Sequence, residues 1–305
     1  MSSRNDAKAG KLRVLVTGSS GYIGAQLVSQ LQQSGIDCIS VDKRIPDGKA
    51  SAKNIMLDLC DREKALKLIS DFRPDCIVHC GTNSALAYKD GLLESFRDDV
   101  AALSNILEAL RKFPDCRLIF FSSSYVYSGS KSAQPLSEQA ALQPSHNFGV
   151  AKLFFEQLLF RIHRNTVVFR LSSVFGPGNP LHPNAIYSMA RECIDKGSLT
   201  VWGTGSRMMQ YIYMQDVINC ILKAVEPSFA PGVYNLGGSE YLSVADSAKI
   251  IAAFFKAKVV FLKDKPEGDT LPFMDIAKLK RSSAARITPF KDSLNEYLEF
   301  LKKQL

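Results

Sequence analysis

Short apolar runs alternate with longer amphipathic stretches along most of this chain. Val14-Leu15-Val16 has the length and continuity of a buried strand, and Ile23, Leu27 and Leu31 then recur every four residues with Val28 beside them. That spacing predicts a helix, closed by Gly35. A second strand, Cys38-Ile39-Ser40-Val41, ends at Asp42, and a polar loop rich in Lys, Ala and Ser leads to Met56-Leu57-Asp58-Leu59. A helix is expected near 62–72, followed by the strand Cys76-Ile77-Val78, which ends in His79-Cys80-Gly81. Leu92, Phe96, Val100, Leu103, Leu107 and Leu110 mark a long helix over about 91–112. Leu118-Ile119-Phe120-Phe121 then runs into Ser122-Ser123-Ser124-Tyr125-Val126-Tyr127. The helix expected over 146–162 has Phe155, Leu158, Leu159 and Ile162 on its core face, and Phe148 and Lys152 share a face at i and i+4.

Regular alternation of this kind, with short connections and right-handed crossovers, predicts an α/β fold built on a doubly wound parallel sheet. Ligands of such sheets bind beyond the carboxyl ends of the strands, where Gly18, Asp42, His79 and Ser123 all fall. After the strand Val167–Leu171, the loop Ser172–Pro183 holds Gly176-Pro177-Gly178 and three prolines, the composition of a crossing between domains. Beyond it the elements shorten: a helix near 185–196, an aromatic strand at 210–213, a helix at 216–226, and the strand Val233–Leu236. Ser243 with Asp246, and Ser293 with Glu296, have the form of capping boxes. The expected division is a Rossmann-type domain over 11–172 plus about 210–237. A smaller mixed α/β domain takes about 173–209 plus 238–305, and 1–10 form a flexible tail.

The turn Thr17-Gly18-Ser19-Ser20-Gly21-Tyr22-Ile23-Gly24 links the first strand to the first helix. Gly18 permits a turn with positive φ, Gly21 lets backbone amides approach a pyrophosphate, and Gly24 lets the helix pack closely on the sheet. Asp42, about 20 residues on, can accept hydrogen bonds from ribose hydroxyls and repel a 2′-phosphate, which favours NAD over NADP. Lys43 and Arg44 follow it directly and keep NADP open.

Composition narrows the picture. The 305 residues carry a net charge of +8, spread along the chain rather than clustered, which fits a solvated surface with a mild bias to anionic ligands and not a nucleic-acid protein. Seven cysteines make no Cys-x-x-Cys, the usage of reduced thiols in a cytosol. No apolar run reaches membrane-spanning length, so a cytoplasmic protein is expected. His79 with Cys80 has no second pair at ligand spacing, so no metal is expected and His79 reads as a packed strand-end residue.

Together these stretches resemble the extended short-chain dehydrogenase/reductase family, in particular the NAD-dependent sugar-nucleotide epimerases, dehydratases and 4-keto reductases. The matching residues run from about 12 to 280: the glycine turn, Asp42, Asp58-Leu59, Asp75 with His79, Ser122-Ser123-Ser124 with Val126-Tyr127, Gly149-x-x-Lys152, Arg170 with Gly176-Pro177-Gly178, Tyr211-Ile212-Tyr213 with Asp216-Val217, and Tyr234-Asn235-Leu236-Gly237. Val201-Trp202-Gly203-Thr204-Gly205 is most similar to GDP-sugar epimerase-reductases. The resemblance implies NAD held by Gly18, Gly21, Tyr22, Ile23, Gly24, Asp42, Asp58, Leu59 and Lys152. It also implies a sugar-nucleotide substrate in the cleft between domains, and a homodimer paired through the helices at 91–112 and 146–162.

The family's chemistry needs a base for a sugar hydroxyl. A phenol ionises near a pKa of about 10, and a neighbouring lysine ammonium and the cationic nicotinamide pull that value down. Ser123 and Lys152 match the family's serine and lysine, but the tyrosine position holds Phe148, which cannot exchange a proton. Tyr125 is the preferred substitute, ahead of Tyr88 and of His146, which would point away from Phe148 on a regular helix. The alternatives are an engineered Tyr→Phe change and a natural pseudoenzyme that binds cofactor or nucleotide sugar without efficient turnover. A general acid–base group typically supplies about 10²–10⁴-fold, so its loss slows such a reaction without abolishing it. The family's Arg-Asp pair before Tyr211 reads Met209-Gln210, leaving Arg207 to reach the substrate diphosphate and Lys265 as a second anchor. Ser173 replaces a common Asn. Ser124-Tyr125 replaces the Asp-Glu pair of the 4,6-dehydratases, which disfavours that reaction.

Overall fold

The computed structural model describes residues 11–45, 53–178, 184–283 and 286–304. The expected tail 1–10, the middle of the polar loop before Met56 and residues 179–183 of the proline-rich crossing lie outside the described residues.

The amino-terminal half follows the expected alternation. In chain order it runs β1 (Arg13–Thr17), α1 (Tyr22–Gln33), β2 (Asp37–Asp42), β3 (Asn54–Met56), α2 (Arg62–Phe72), β4 (Cys76–His79), α3 (Ala85–Asp90), α4 (Leu92–Leu110), β5 (Arg117–Ser123), a 3-10 turn at Ser124–Tyr127, α5 (Asn147–Ile162) and β6 (Thr166–Leu171). The rest comprises β7 (Ser173–Phe175), α6 (Ala185–Lys196), β8 (Ser198–Trp202), β9 (Met208–Tyr213), α7 (Met214–Val225), β10 (Gly232–Leu236), β11 (Tyr241–Ser243), α8 (Val244–Phe255), β12 (Lys258–Leu262), α9 (Ala277–Ser283) and α10 (Phe290–Gln304).

Seven strands form one parallel sheet in the order β10-β6-β5-β4-β1-β2-β3. Its strands are apolar on both faces because both are covered. Val14, Val16, Phe121 and Phe169 pack with Leu27 and Leu31 of α1 and Val217 and Ile221 of α7. Leu15, Ile77, Phe120 and Val168 pack with Ile69 of α2, Leu103 and Ile106 of α4 and Phe155 and Leu159 of α5. A third core lies under the small sheets β11-β9-β7 and β12-β8, where Phe175, Tyr211 and Tyr213 meet Met189, Ile251, Leu294 and Leu298.

Several local expectations are corrected. Ile162, placed on the core face of its helix, is the last residue of α5 and is exposed. Ser243 does cap α8, accepting the Asp246 N–H at 3.0 Å. Ser293 caps nothing: α10 already begins at Phe290, whose N–H is taken by Glu240 Oε1 at 2.8 Å, and the Ser293 hydroxyl donates back to the Pro289 carbonyl. The segment 210–237, grouped with the large sheet, is divided. β9 pairs with β7 and β11, while α7 and β10 join the large sheet.

Candidate active site

The carboxyl edge of the large sheet gathers the expected residues. At its centre Gly18 adopts φ +65°, and a Cβ there would lie 2.5 Å from the Cys80 and Gly81 backbone. A Cβ on Gly24 would collide with the Gly18 carbonyl, so α1 sits directly on the turn. Gly21 is the N-cap of α1 and offers no side-chain cap, and the first turn holds no acid. The amides of Tyr22, Ile23 and Gly24 are thus left for an anion at the positive end of the helix. Ser19 Oγ and His79 Nε2 are buried beside this turn without a hydrogen-bond partner among the described residues. This cradle fits a dinucleotide pyrophosphate.

Asp42 accepts the amides of Ser20 at 2.9 Å and Arg44 at 3.0 Å, which leaves lone pairs on both oxygens. The Leu57 amide bonds the Asp42 carbonyl at 2.9 Å, bringing the Asp58-Leu59 turn alongside. Asp58 accepts the Cys60 amide, and Asn105 Nδ2 holds the Leu59 carbonyl at 2.8 Å. The Tyr22 side chain leaves this group, its hydroxyl donating to the Gly176 carbonyl at 2.7 Å and bracing the glycine turn against the crossing loop. His79 is the packed residue expected, with Nδ1 2.7 Å from Thr17 Oγ1 and burial pushing its pKa down to about 3.

The expected reacting end is built by β5, the 3-10 turn and α5. Ser123 ends β5 and accepts the Tyr125 amide at 3.3 Å. A Cβ on Gly149 would collide with the Tyr125 carbonyl, so only glycine lets α5 approach this turn. That approach sets the Phe148 ring against Tyr125 (centroids 5.8 Å apart) and Tyr88 (5.6 Å). Lys152 is 2 % exposed and donates to Thr82 Oγ1 at 2.7 Å, with Nζ over the Phe120 and Phe148 rings at 4.9 and 5.2 Å. Burial lowers its pKa to about 8, against the pull of the Asp99 carboxylate. The cation that would acidify a phenol therefore faces a ring with no hydroxyl.

The three candidate substitutes separate clearly. Tyr88 is fully buried and its hydroxyl donates to Asp99 Oδ2 at 2.9 Å. Burial and that carboxylate push its phenol up, away from the range of a base. Tyr125 is half-buried, beside Ser123, with no hydrogen bond to its hydroxyl among the described residues. His146 does not point away as a helical residue would. It is the N-cap of α5 with extended dihedrals (φ −117°, ψ 144°), and its ring packs edge-on against Tyr125, with centroids 5.1 Å apart.

The residues expected to meet the substrate are more scattered. Ser124 is buried in the 3-10 turn and Ser173 begins β7. Arg207 Nε donates to the Asp269 carbonyl at 2.7 Å, and Lys265 is exposed in the turn after β12. Sequence reasoning missed Asp99, which takes Asn83 N and Nδ2 at 2.9 Å and faces Lys152. It also missed the buried hub in which Arg170 meets Glu156 (Nη2–Oε2 2.6 Å) and Tyr127, whose hydroxyl donates to Asn235 Oδ1 at 2.9 Å. The signal was present: Asp99 and Glu156 are acids set in the apolar stripes of their helices.

Comparisons with known proteins give the family and the fold. The model of the NAD dependent epimerase/dehydratase family matches residues 14–237. A dTDP-4-dehydro-6-deoxy-D-allose reductase of a Streptomyces species is 24 % identical over 308 residues, 93 % of this chain and 94 % of the relative. UDP-glucose 4-epimerase 2 of Arabidopsis thaliana is 26 % identical over 284 residues, 80 % of each chain. Among solved structures, UDP-glucose 4-epimerase of Thermotoga maritima with UDP-glucose superposes with a TM-score of 0.85 at 22 % identity, covering 96 % of this chain and 99 % of that one. The Thermus thermophilus UDP-glucose 4-epimerase complex with NAD gives a TM-score of 0.82 at 20 % identity, covering 96 % and 100 %.

Proposed function

The chain belongs to the NAD dependent epimerase/dehydratase family, and from that premise we propose that it is a sugar-nucleotide epimerase or 4-keto reductase whose proton is handled by Tyr125 in place of position 148. The observation that carries this reading is that Tyr125, bonded through its amide to Ser123, and Lys152 both lie against the Phe148 ring at the carboxyl end of β5. NAD is the expected cofactor, held through its pyrophosphate by the Gly18–Gly24 turn, at its adenosine end by Asp42, Asp58 and Leu59, and at its nicotinamide end by Lys152. When bound, it supplies the hydride acceptor and donor. Ser123 donates a hydrogen bond to the reacting sugar oxygen, and Tyr125 takes or returns that oxygen's proton. Lys152, capped by Thr82 Oγ1, supplies a fixed cation beside the site. Arg207 takes the substrate diphosphate, with Ser124, Ser173 and Lys265 as further substrate contacts.

The UDP-sugar and dTDP-sugar relatives support a nucleoside diphosphate sugar as the substrate class. Homodimerisation through α4 and α5 is part of the same reading, supported by the exposed Leu93, Val150 and Phe154 on their outer faces. So is a cytoplasmic location: all seven cysteines are free, and no described helix is long and apolar enough to cross a membrane.

Phe148 itself favours a second reading, a binder of cofactor and nucleotide sugar with little turnover. One experiment separates the two: calorimetry with NAD and NADP, followed by turnover of wild type, Phe148→Tyr and Tyr125→Phe on UDP-sugar and 4-keto-sugar substrates. Activity that is lost in Tyr125→Phe and not raised in Phe148→Tyr supports the relocated base. A large gain in Phe148→Tyr, with Tyr125→Phe unchanged, supports the impaired enzyme. No binding of either coenzyme overturns both.

A further inference from the structure

One residue touches both halves of the site. Asp269 lies in the loop between β12 and α9; its backbone carbonyl accepts Arg207 Nε at 2.7 Å, and its carboxylate Oδ2 lies 3.1 Å from His146 Nε2. His146 in turn packs against the Tyr125 ring, and the Tyr125 amide bonds Ser123. A continuous line of contacts therefore runs from Arg207 through Asp269, His146 and Tyr125 to Ser123.

The loop bearing Asp269 is not free to drift. The Glu267 carboxylate accepts the amides of Thr204 at 2.7 Å and Arg207 at 2.8 Å and the Thr204 hydroxyl at 2.9 Å, and Thr270 Oγ1 accepts the Met208 amide at 3.1 Å. Residues 267–270 thus move with the turn that carries Arg207. The Asp269 and His146 side chains are 75 % and 36 % exposed. A pair this exposed contributes little to stability. Its consequence is positional: the loop that moves with Arg207 is tied to the N-cap of α5, two residues before Phe148 and six before Lys152.

We propose that Asp269 and His146 are positioning residues that transmit the seating of the substrate's diphosphate at Arg207 to the ring of Tyr125. This rests on the reading above, in which Arg207 holds the diphosphate and Tyr125 handles the proton. Binding energy gained at the remote end of the substrate is then spent on orienting the group at the reacting end, so a ligand without the diphosphate leaves Tyr125 unaligned.

The test uses the full chain with ¹³C-labelled tyrosine and UDP as the probe, with no turnover required. The Tyr125 ring signal is the one missing from Tyr125→Phe. On adding UDP it shifts in wild type and stays in place in Asp269→Asn and His146→Gln, and Asp269→Glu restores the shift. UDP affinity by calorimetry changes by less than about fivefold in Asp269→Asn, the range of an exposed ion pair. An equal shift of Tyr125 in wild type and Asp269→Asn overturns the proposal, as does a wild-type signal that UDP leaves unmoved while binding. Failure of wild type to bind UDP at all overturns instead the assignment of Arg207 on which the proposal rests.

Discussion

Lys152→Met replaces a buried ammonium with an apolar chain of similar length, and the structure gives the size and sign of the result. Lys152 is 2 % exposed and burial lowers its pKa to about 8. In the unfolded chain a lysine ionises near its ordinary value of about 10.4. Below both values native and unfolded chains carry the proton, and the native state bears the full cost of the buried charge, about 3 kcal/mol. Between them the unfolded chain keeps a proton that the native chain has released, so wild-type stability gains on the variant as pH rises. The cost falls from about 3 kcal/mol at pH 7 to about 2 at pH 9 and about 1 at pH 10. Losing the bond to Thr82 Oγ1 offsets part of the gain by a constant amount, so the pH dependence of the difference is the secure quantity. Urea unfolding of wild type and Lys152→Met, followed by far-UV circular dichroism at several pH values, measures it, and tyrosine and cysteine titrations common to both cancel. The variant's advantage is expected to shrink by about 2 kcal/mol between pH 7 and 10. A difference that stays constant or widens refutes the argument that burial governs this lysine.

Two further outcomes follow from local geometry. Gly18→Ala is expected to cost about 1–3 kcal/mol in urea unfolding through strain at φ +65°, and to lower NAD affinity in calorimetry, because its Cβ would press on the Cys80 backbone 2.5 Å away; unchanged affinity would count against the cradle. Arg170→Met leaves Glu156 buried without its ion-pair partner and is expected to lower unfolding free energy by about 3–5 kcal/mol, while Arg170→Met with Glu156→Leu recovers part of it; a double variant no more stable than the single one contradicts the assignment.

Most of the large sheet was legible because its strands are apolar on both faces and its helices keep a regular stripe. The smaller sheets were not. β8 and β12 are five residues each, lie 55 residues apart in the chain, and pair in a parallel register that no local pattern announces. α3 has only six residues and is set by its Ser84 cap, too short to show a period. Ser293 misled because a Ser-x-x-Glu spacing recurs inside a helix whose start is fixed by Glu240, a residue distant in sequence.

The candidate site divides along the same line. The cofactor cradle is local: Gly18, Gly21 and Gly24 act on one turn, so their spacing carries its geometry. The expected reacting end is assembled from three segments, of which the i, i+4 relation of Phe148 and Lys152 and the adjacency of Ser123 and Tyr125 were local enough to read. Resemblance to the family marked Phe148 as standing where a tyrosine is usual, but spacing alone could not bring His146 and Asp269 beside Tyr125. His146 was misplaced by extending the helix one residue too far, since an N-cap residue has extended dihedrals and directs its side chain independently of the helix face. With that one residue turned, its ring lies against Tyr125 and within reach of the Asp269 carboxylate, an arrangement set by tertiary contacts and not by any local spacing.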